Sequence, residues 1–328
     1  MKRHFCTLFN KNYLAHFLSL YESLEQHLAS FHVYALCMDN ESYERLSKMS
    51  LANLTVITQS EFEFNDEALL LAKSNRTVVE YFFTCSPSLP IYVLKKFIDV
   101  DLITYLDADL YFFSTPEPLF EELGNNSIGI IAHKFYGLNK RFKKYGEYNV
   151  GWLSFKRDEQ GMDCLNRWRN QCNEWCYDKL EFDRFADQKY LDQWPSIYKN
   201  SLMILENKGA NVGPWNINRH HISTNNEKQI LIDDKILIFY HFASFKQIKP
   251  WLFKTNCSRF LTWSGRVLRK NVYGYYLKRL MYHGWEINQS ARKNFRLGTP
   301  MELLYNIFVI VKTFVFIDYL LLFKNKVI

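Results

Sequence analysis

The sequence predicts an α/β fold in which a mostly parallel sheet carries helices on both faces, followed by a basic, amphipathic helical extension. Three observations support this. Short apolar runs alternate with stretches of helical spacing up to residue 106, the series ends in an apolar run with two aspartates set into it, and the net charge changes sign near residue 254. Strand and helix alternate in parallel sheets because each connection must cross back over a sheet face.

HFCTLFN (4–10) predicts the first strand. NYLAHFLSLYESLEQHL (12–28) predicts a helix, with Leu14, Phe17, Leu18, Tyr21, Leu24 and Leu28 on one stripe. FHVYALCMD (31–39) is the second strand, NESYERLSKM (40–49) a helix capped by Asn40, and LTVIT (54–58) the third strand. SPSLPIYVLKKFI (86–98) returns to helical spacing after a proline-marked start, and LITYL (102–106) closes the series. No internal repeat interrupts it.

With 48% hydrophobic, 17% aromatic and 23% charged residues, the 328-residue chain has globular composition. Its seven cysteines are odd in number, which suits a reducing cytoplasm better than a secreted disulfide framework. Asn10, Lys11, Asn12 and His16 break the apolar run that a signal peptide needs, so the N-terminus is expected to belong to the fold.

From Lys254 onward the chain carries a net charge of +10, against −3 before it. This divides it into a domain expected to carry the α/β fold and any catalytic site, 1–253, and a basic extension expected to associate with a membrane, 254–328. Within the extension, ELLYNIFVIVKTFVFIDYLLLF (302–323) is long enough to span a bilayer but contains Lys312 and Asp318. Each charge would cost about 2.5–3.5 kcal/mol at mid-membrane. A helix lying on an anionic membrane surface is the cheaper arrangement. Packing on the chain's own core or on a second subunit of a homo-oligomer, and a true span, are the other placements. Nothing resembles a nucleic-acid-binding module.

DLITYLDADLYFF (101–113) poses the chemical question. Burying Asp107 and Asp109 unpaired would cost several kcal/mol. Chance alone supplies roughly 0.7 D-x-D pairs in such a chain, and a second pair, Asp99 and Asp101, is better read as capping or solvating a helix–strand junction. Asp107 and Asp109 instead follow the strand's carboxyl end, where ligands bind in such sheets. Two carboxylates there can hold an oxygen-ligated divalent cation, Mn²⁺ or Mg²⁺.

LITYLDADLYFF resembles the D-x-D strand of GT-A glycosyltransferases, and further landmarks in order along residues 3–251 resemble glycosyltransferase family 8. The resemblance implies a GT-A, Rossmann-like nucleotide-diphospho-sugar transferase fold and a retaining reaction. It also implies a nucleotide-sugar donor, a UDP-sugar above others, and a glycan or lipid-linked acceptor. In TLFNKNY it implies donor contacts from Thr7, Asn10, Asn12 and Tyr13. YNVGWLSF supplies the N-x-G motif, Asn149 to Gly151, and FADQKYLDQWP the Asp187–Gln188 pair that faces donor sugar and acceptor. HFASFKQIKPW matches the closing motif, with His241 as third metal ligand. There Ser244 replaces the family's glycine, and the distance from His241 to Lys-Pro-Trp is two residues longer. Lys246 and Lys249 therefore compete for the phosphate, with Lys246 nearer the family's offset. Arg76 is a further phosphate candidate, and Asn211 and Gly213 in NKGANVGPWNIN are candidates for lining the donor cleft.

Each residue also has a plainer reading. Tyr13 can be a core aromatic, Asn149 and Gly151 a turn, Asp187 a helix-surface charge, His241 a core histidine and Arg76 an ion-pair residue. CLNRWRNQCNEWC (164–176) puts Leu165, Trp168, Cys172 and Trp175 at helical spacing, which favours an apolar stripe over a zinc site. His220 and His221 read as surface. The expected activity is transfer of a sugar in surface polysaccharide synthesis (O-antigen, capsule or lipopolysaccharide), peripherally at the cytoplasmic membrane face. Two other functions compete. One is a phosphatase with Asp107 as nucleophile, although Tyr111 stands where such enzymes carry Thr or Val. The other is a noncatalytic membrane-associated binding protein.

Overall fold

The structure, a computed structural model, describes residues 1–249, 252–263, 265–285, 319–323 and 326–327. Its first half alternates as the sequence predicts: β1 (Arg3–Phe9), α1 (Leu14–His27), β2 (Phe31–Cys37), α2 (Asn40–Ser47) and β3 (Leu54–Thr58). Then come α3 (Gln59–Glu63), α4 (Glu67–Ser74), α5 (Val78–Lys96), β4 (Leu102–Leu106) and β5 (Leu110–Phe112). The middle of the chain supplies α6 (Glu117–Leu123), β6 (Ile128–Ala132), β7 (Tyr148–Lys156), α7 (Glu159–Glu174), α8 (Trp194–Ile197) and β8 (Leu202–Leu205). A seven-stranded sheet runs in the order β3-β2-β1-β4-β7-β6-β8. It is mostly parallel, with β7 antiparallel to both β4 and β6.

Two helix starts differ from expectation. The cap of α2 is Asp39, whose carboxylate accepts the Ser42 N–H at 2.7 Å, so Asn40 is already helical. Helix α5 begins well before the prolines, because Thr77 and Glu80 form a reciprocal capping box. Pro87 and Pro90 lie inside it.

Side chains alternate across β1, so Cys6 and Leu8 face one core while Phe5 and Phe9 face the other. The first core is closed by α5 and α7 through Leu89, Val93, Leu165 and Trp168. Cys172 joins this stripe, as its helical spacing predicts, and all seven cysteines are buried free thiols. The second core is closed by α1, with Phe17 stacked on Phe9 at 4.3 Å and Leu24 in the same cluster. Each such fully buried large side chain contributes roughly 1.5–3 kcal/mol.

A third layer forms later in the chain. β9 (Ile222–Thr224), β10 (Ile230–Ile232) and β11 (Lys235–Ile236) make a small sheet, after which β12 (Phe239–His241) pairs antiparallel with β5. β13 (Lys246–Lys249), β14 (Leu252–Lys254), β15 (Tyr319–Phe323) and β16 (Lys326–Val327) form another sheet, and α9 (Gly274–Tyr282) packs on α1. The segment 254–285, expected to begin an extension, contributes Tyr273, Tyr276 and Leu277 to a core shared with Tyr240 and Phe242. Of the amphipathic helix expected over 302–323, residues 302–318 lie outside the described residues. Residues 319–323 are strand, because β15 pairs with the edge of β14 and buries Leu320. No helix among the described residues is long and apolar enough to cross a membrane.

Candidate active site

Strand β4 ends at Leu106, and a tight turn follows in which the Leu110 N–H donates to the Asp107 carbonyl at 3.3 Å. This turn carries Asp107 and Asp109 past the sheet edge. His241 arrives from β12, which pairs with β5 so that His241 lies opposite Leu110, while the Phe242 N–H donates to the Asp109 carbonyl at 3.0 Å. His241 Nε2 is 3.1 Å from Asp109 Oδ1 and 3.6 Å from Asp107 Oδ2. One ligand atom from each of the three residues lies within 4.8 Å of the others.

The N-x-G motif supports this cluster from within β7, so it is strand and not turn. Asn149 Oδ1 accepts the Gly151 N–H at 2.6 Å, and Asn149 Nδ2 lies 3.5 Å from His241 Nδ1. A Cβ at Gly151 would meet the His241 ring and Asn149 Oδ1 at 2.9 Å, so only glycine admits the imidazole here. The edge of Trp215 closes the other side of the ring, centroids 5.2 Å apart.

Burial pushes the Asp107 carboxyl up to about 6; His241 pulls it down and Asp109 adds to the rise. Burial also acts on Asp109, but His241 outweighs it and the net shift is downward. Burial would lower His241, yet Asp109 and Asp107 raise it. Two carboxylates share one imidazole, leaving uncompensated negative charge. The oxygen, oxygen and nitrogen donor set fits a divalent ion such as Mn²⁺ or Mg²⁺.

The cluster opens into a cavity of about 960 Å³ that is also lined by Asn10, Asn12, Tyr13, Asp187 and Gln188. Tyr13 is 42% exposed there, so it is not a core aromatic. Asp187 is buried and not a helix-surface charge; burial, reinforced by Asp107 and opposed by Ser86, moves its carboxyl up to about 7. The Trp168 indole N–H holds its backbone carbonyl at 2.8 Å. Gln188 donates to the Tyr145 carbonyl at 3.0 Å and packs against Gly146, whose φ of 136° no other residue adopts readily.

Other candidates fall elsewhere. Thr7 is buried within β1 on the face of Phe5 and does not line the cavity. Arg76 spreads over the Tyr177 ring at 3.9 Å and donates to the carbonyls of Asn173 and Glu174, tying the end of α7 to the start of α5. Among the described residues it neither lines the cavity nor forms an ion pair. Asn211 and Gly213 lie behind the cavity wall: Asn211 donates to the Ala132 carbonyl, and a Cβ at Gly213 would meet the Trp215 ring at 2.6 Å. Gly213 leaves room for the Trp215 ring. Lys246 is exposed on β13 and does not line the cavity, and the side chain of Lys249, with Pro250 and Trp251, lies outside the described residues. Among the described residues, Arg259 is the arginine or lysine that lines the cavity. His220 is not a surface residue; its buried ring sits 3.0 Å from Asp233, while His221 is exposed.

Sequence reasoning missed His133, which lines the cavity, stacks on Phe135 at 4.7 Å, and is driven by burial down to about 3. No spacing marks it, since β6 ends one residue earlier and the ring is placed by the tertiary packing of Phe135 and Trp215.

No family model matches the chain. Two proteins of Bacillus subtilis (strain 168) are similar to it along most of their length. Uncharacterized protein YfnD is 32% identical over 248 residues, 74% of this chain and 78% of its own. Uncharacterized protein YfnF is 32% identical over 249 residues, 74% and 81% respectively. The chain belongs to the YfnD family. Among solved structures, this YfnD-family chain resembles galactosyltransferase LgtC in complex with donor and acceptor sugar analogs, at TM-score 0.52 and 16% identity, over 85% of this chain and 95% of that one. It also resembles the glycosyltransferase GlyE of Streptococcus pneumoniae TIGR4, at TM-score 0.50 and 16% identity, over 95% of this chain and 64% of that one. The fold of this YfnD-family chain is the GT-A fold.

Proposed function

We propose that this chain is a metal-dependent, retaining glycosyltransferase. It moves a sugar from a nucleotide-sugar donor, a UDP-sugar above others, to a glycan or lipid-linked acceptor. The setting is bacterial surface polysaccharide synthesis (O-antigen, capsule or lipopolysaccharide), peripherally at the inner membrane face. One observation carries the reading: the floor of a cavity of about 960 Å³ holds two carboxylates against one imidazole, with Asp187 and Gln188 lining the same space. A nucleotide-sugar fits a cavity of that size.

Asp107, Asp109 and His241 would hold Mn²⁺ or Mg²⁺, which when bound supplies positive charge to a departing diphosphate. The chain's own residues do the remainder. Asn10 and Tyr13 receive the nucleotide on the wall they line. Asn149 keeps the His241 ring in position, and Arg259 brings a second positive charge to the phosphates. Asp187 and Gln188 orient the donor sugar and the acceptor hydroxyl. With a carboxyl at about 7, Asp187 can accept or release a proton near neutral pH.

The test is a nucleotide-sugar panel with Mn²⁺ or Mg²⁺, read by released nucleoside diphosphate, on the wild type and Asp109→Asn. The variant is expected to lose activity by roughly 10²–10³-fold. Equal turnover by both proteins would overturn the proposed site.

A further inference from the structure

The segment Gly137–Tyr145 (GLNKRFKKY) forms one lip of the cavity as a three-residue-per-turn helix. Side chains three apart are eclipsed in such a helix, so it has three distinct faces. The inward face is Asn139, Phe142 and Tyr145. Asn139 donates to the Trp215 carbonyl at 3.1 Å, Phe142 meets Phe260 at 5.0 Å, and Tyr145 meets Phe185 at 4.8 Å. Phe142 and Tyr145 also line the cavity. The other two faces are Leu138, Arg141 and Lys144, and Lys140 and Lys143. Four cations in five residues therefore stand on the outside of a lip anchored through its inside.

Among these cations Lys143 pairs with Glu147 at 2.7 Å, while Lys140, Arg141 and Lys144 are exposed and meet no carboxylate among the described residues. Exposed apolar groups accompany them: Leu138 is 72% exposed and Tyr136 56%. A second part of the rim also exposes apolar groups. Val78 and Val79 are 66% and 55% exposed, and Phe182 is fully exposed beside Leu180. There Glu181 pairs with Lys179 and Arg184, while Asp178 and Asp183 are exposed, so the cationic charge of the mouth resides on Gly137–Tyr145. Single exposed apolar residues are ordinary on protein surfaces, but here Val78, Val79 and Leu180 line the cavity and Leu138 and Phe182 lie in the segments beside it, together with three cations that have no carboxylate partner among the described residues.

We propose that the mouth of this cavity is a membrane-docking face, with Gly137–Tyr145 laid against an anionic lipid bilayer. The inference rests on the proposed reading only for its purpose, which is to let a lipid-borne acceptor reach the cavity without leaving the membrane. Charge complementarity selects the occupant. Lipid phosphates answer Lys140, Arg141 and Lys144, and the acyl boundary receives Leu138, Phe182 and the α5 valines. A soluble acidic glycan would be answered by the cations but would leave these aliphatic groups in water.

The experiment is co-sedimentation of the full chain with vesicles of phosphatidylglycerol and phosphatidylcholine, against phosphatidylcholine alone. It is repeated with Lys140→Gln/Arg141→Gln/Lys144→Gln and, separately, with Leu138→Ser. The wild type is expected to prefer anionic vesicles, the triple variant to lose about 100-fold in partitioning, and Leu138→Ser to lose less. Undiminished vesicle binding by the triple variant would assign binding to another surface, such as the basic C-terminal stretch, and overturn the proposal. So would capture of the wild type by soluble polyphosphate but not by vesicles. Nucleoside-diphosphate release is read without vesicles on the same proteins. Vesicle binding lost with donor turnover intact supports the docking face. Normal vesicle behaviour in a chain that turns over no donor supports the docking face too, and sinks the glycosyltransferase reading instead.

Discussion

Among the described residues, two clusters bring acid and histidine together from distant parts of the chain, and their charge balance differs. In the first, Glu22 on α1 meets Arg279 at 2.6 Å and His283 at 2.8 Å, clamping α9 to α1. In the second, His241 is the one basic group that Asp107 and Asp109 meet among the described residues. The Glu22 cluster has a full positive charge for its carboxylate, so it is complete. The Asp107–Asp109–His241 cluster has one acid too many, and it opens on a cavity. Convergence of titratable groups is common to structural and chemical sites, and the charge balance tells them apart.

The contrast predicts opposite signs when a charge is removed. The largest effect is expected at Asp187, which shares the unbalanced cavity and whose carboxyl is held up at about 7. Between pH 4 and 7 the folded state binds a proton that the unfolded state has released, so stability falls as pH rises through this window and is flat above it. Asp187→Asn removes that cost. In metal-free buffer the variant is expected to be more stable than the wild type at pH 8, by up to about 4 kcal/mol, with the gap closing toward pH 4. Urea midpoints at several pH values measure this. Parallel pH profiles would mean that Asp187 is not a destabilising charge.

The balanced cluster should respond the other way. Glu22→Gln leaves Arg279 and His283 partly buried without their counter-charge, which is expected to cost about 1–3 kcal/mol. Thermal unfolding reads the loss, while nucleoside-diphosphate release should remain within about twofold at a temperature where the variant is folded. A stabilised Glu22→Gln, or one that loses turnover while still folded, would break the distinction between the clusters.

How much of this was legible depended on how local each signal was. The sheet was readable from β1 to β4 because a parallel strand buried on both faces is a continuous apolar run, and LITYL ends at the residue where β4 ends. Asp107 and Asp109 stood out as charges in such a run. Asn149, Asp187, Gln188 and His241 came from the resemblance, and only three-dimensional pairing of β12 with β5 brings His241 to the acids. Lys246 and Arg76 were misplaced because a basic residue near a motif has many ways to be used, and packing decides among them. The start of α5 was missed for a similar reason: prolines are the loudest local signal, and the Thr77–Glu80 box beneath Val78 was overlooked. The strand Tyr319–Phe323 was read as helix because a run of Leu and Phe carries no period, and its partner β14 decides the outcome.

The smallest predicted effect sharpens the contrast at the edge of the unbalanced cluster. Ser244, three residues past His241, has φ 59°, the left-handed region that a side chain occupies at a cost of roughly 1–2 kcal/mol. The resembled motif carries glycine at this place, and the backbone shows why, since glycine enters that region freely. Ser244→Gly relieves the strain but loosens the unfolded chain by about 0.5–1 kcal/mol, so a net stabilisation of about 0.5 kcal/mol is expected. Ser244 also lines the cavity, and the substitution adds no atom to it. Denaturant titration should therefore show a slightly higher midpoint with an unchanged slope. A destabilisation of about 1 kcal/mol or more would mean that the serine hydroxyl stabilises this turn by more than its backbone strain costs.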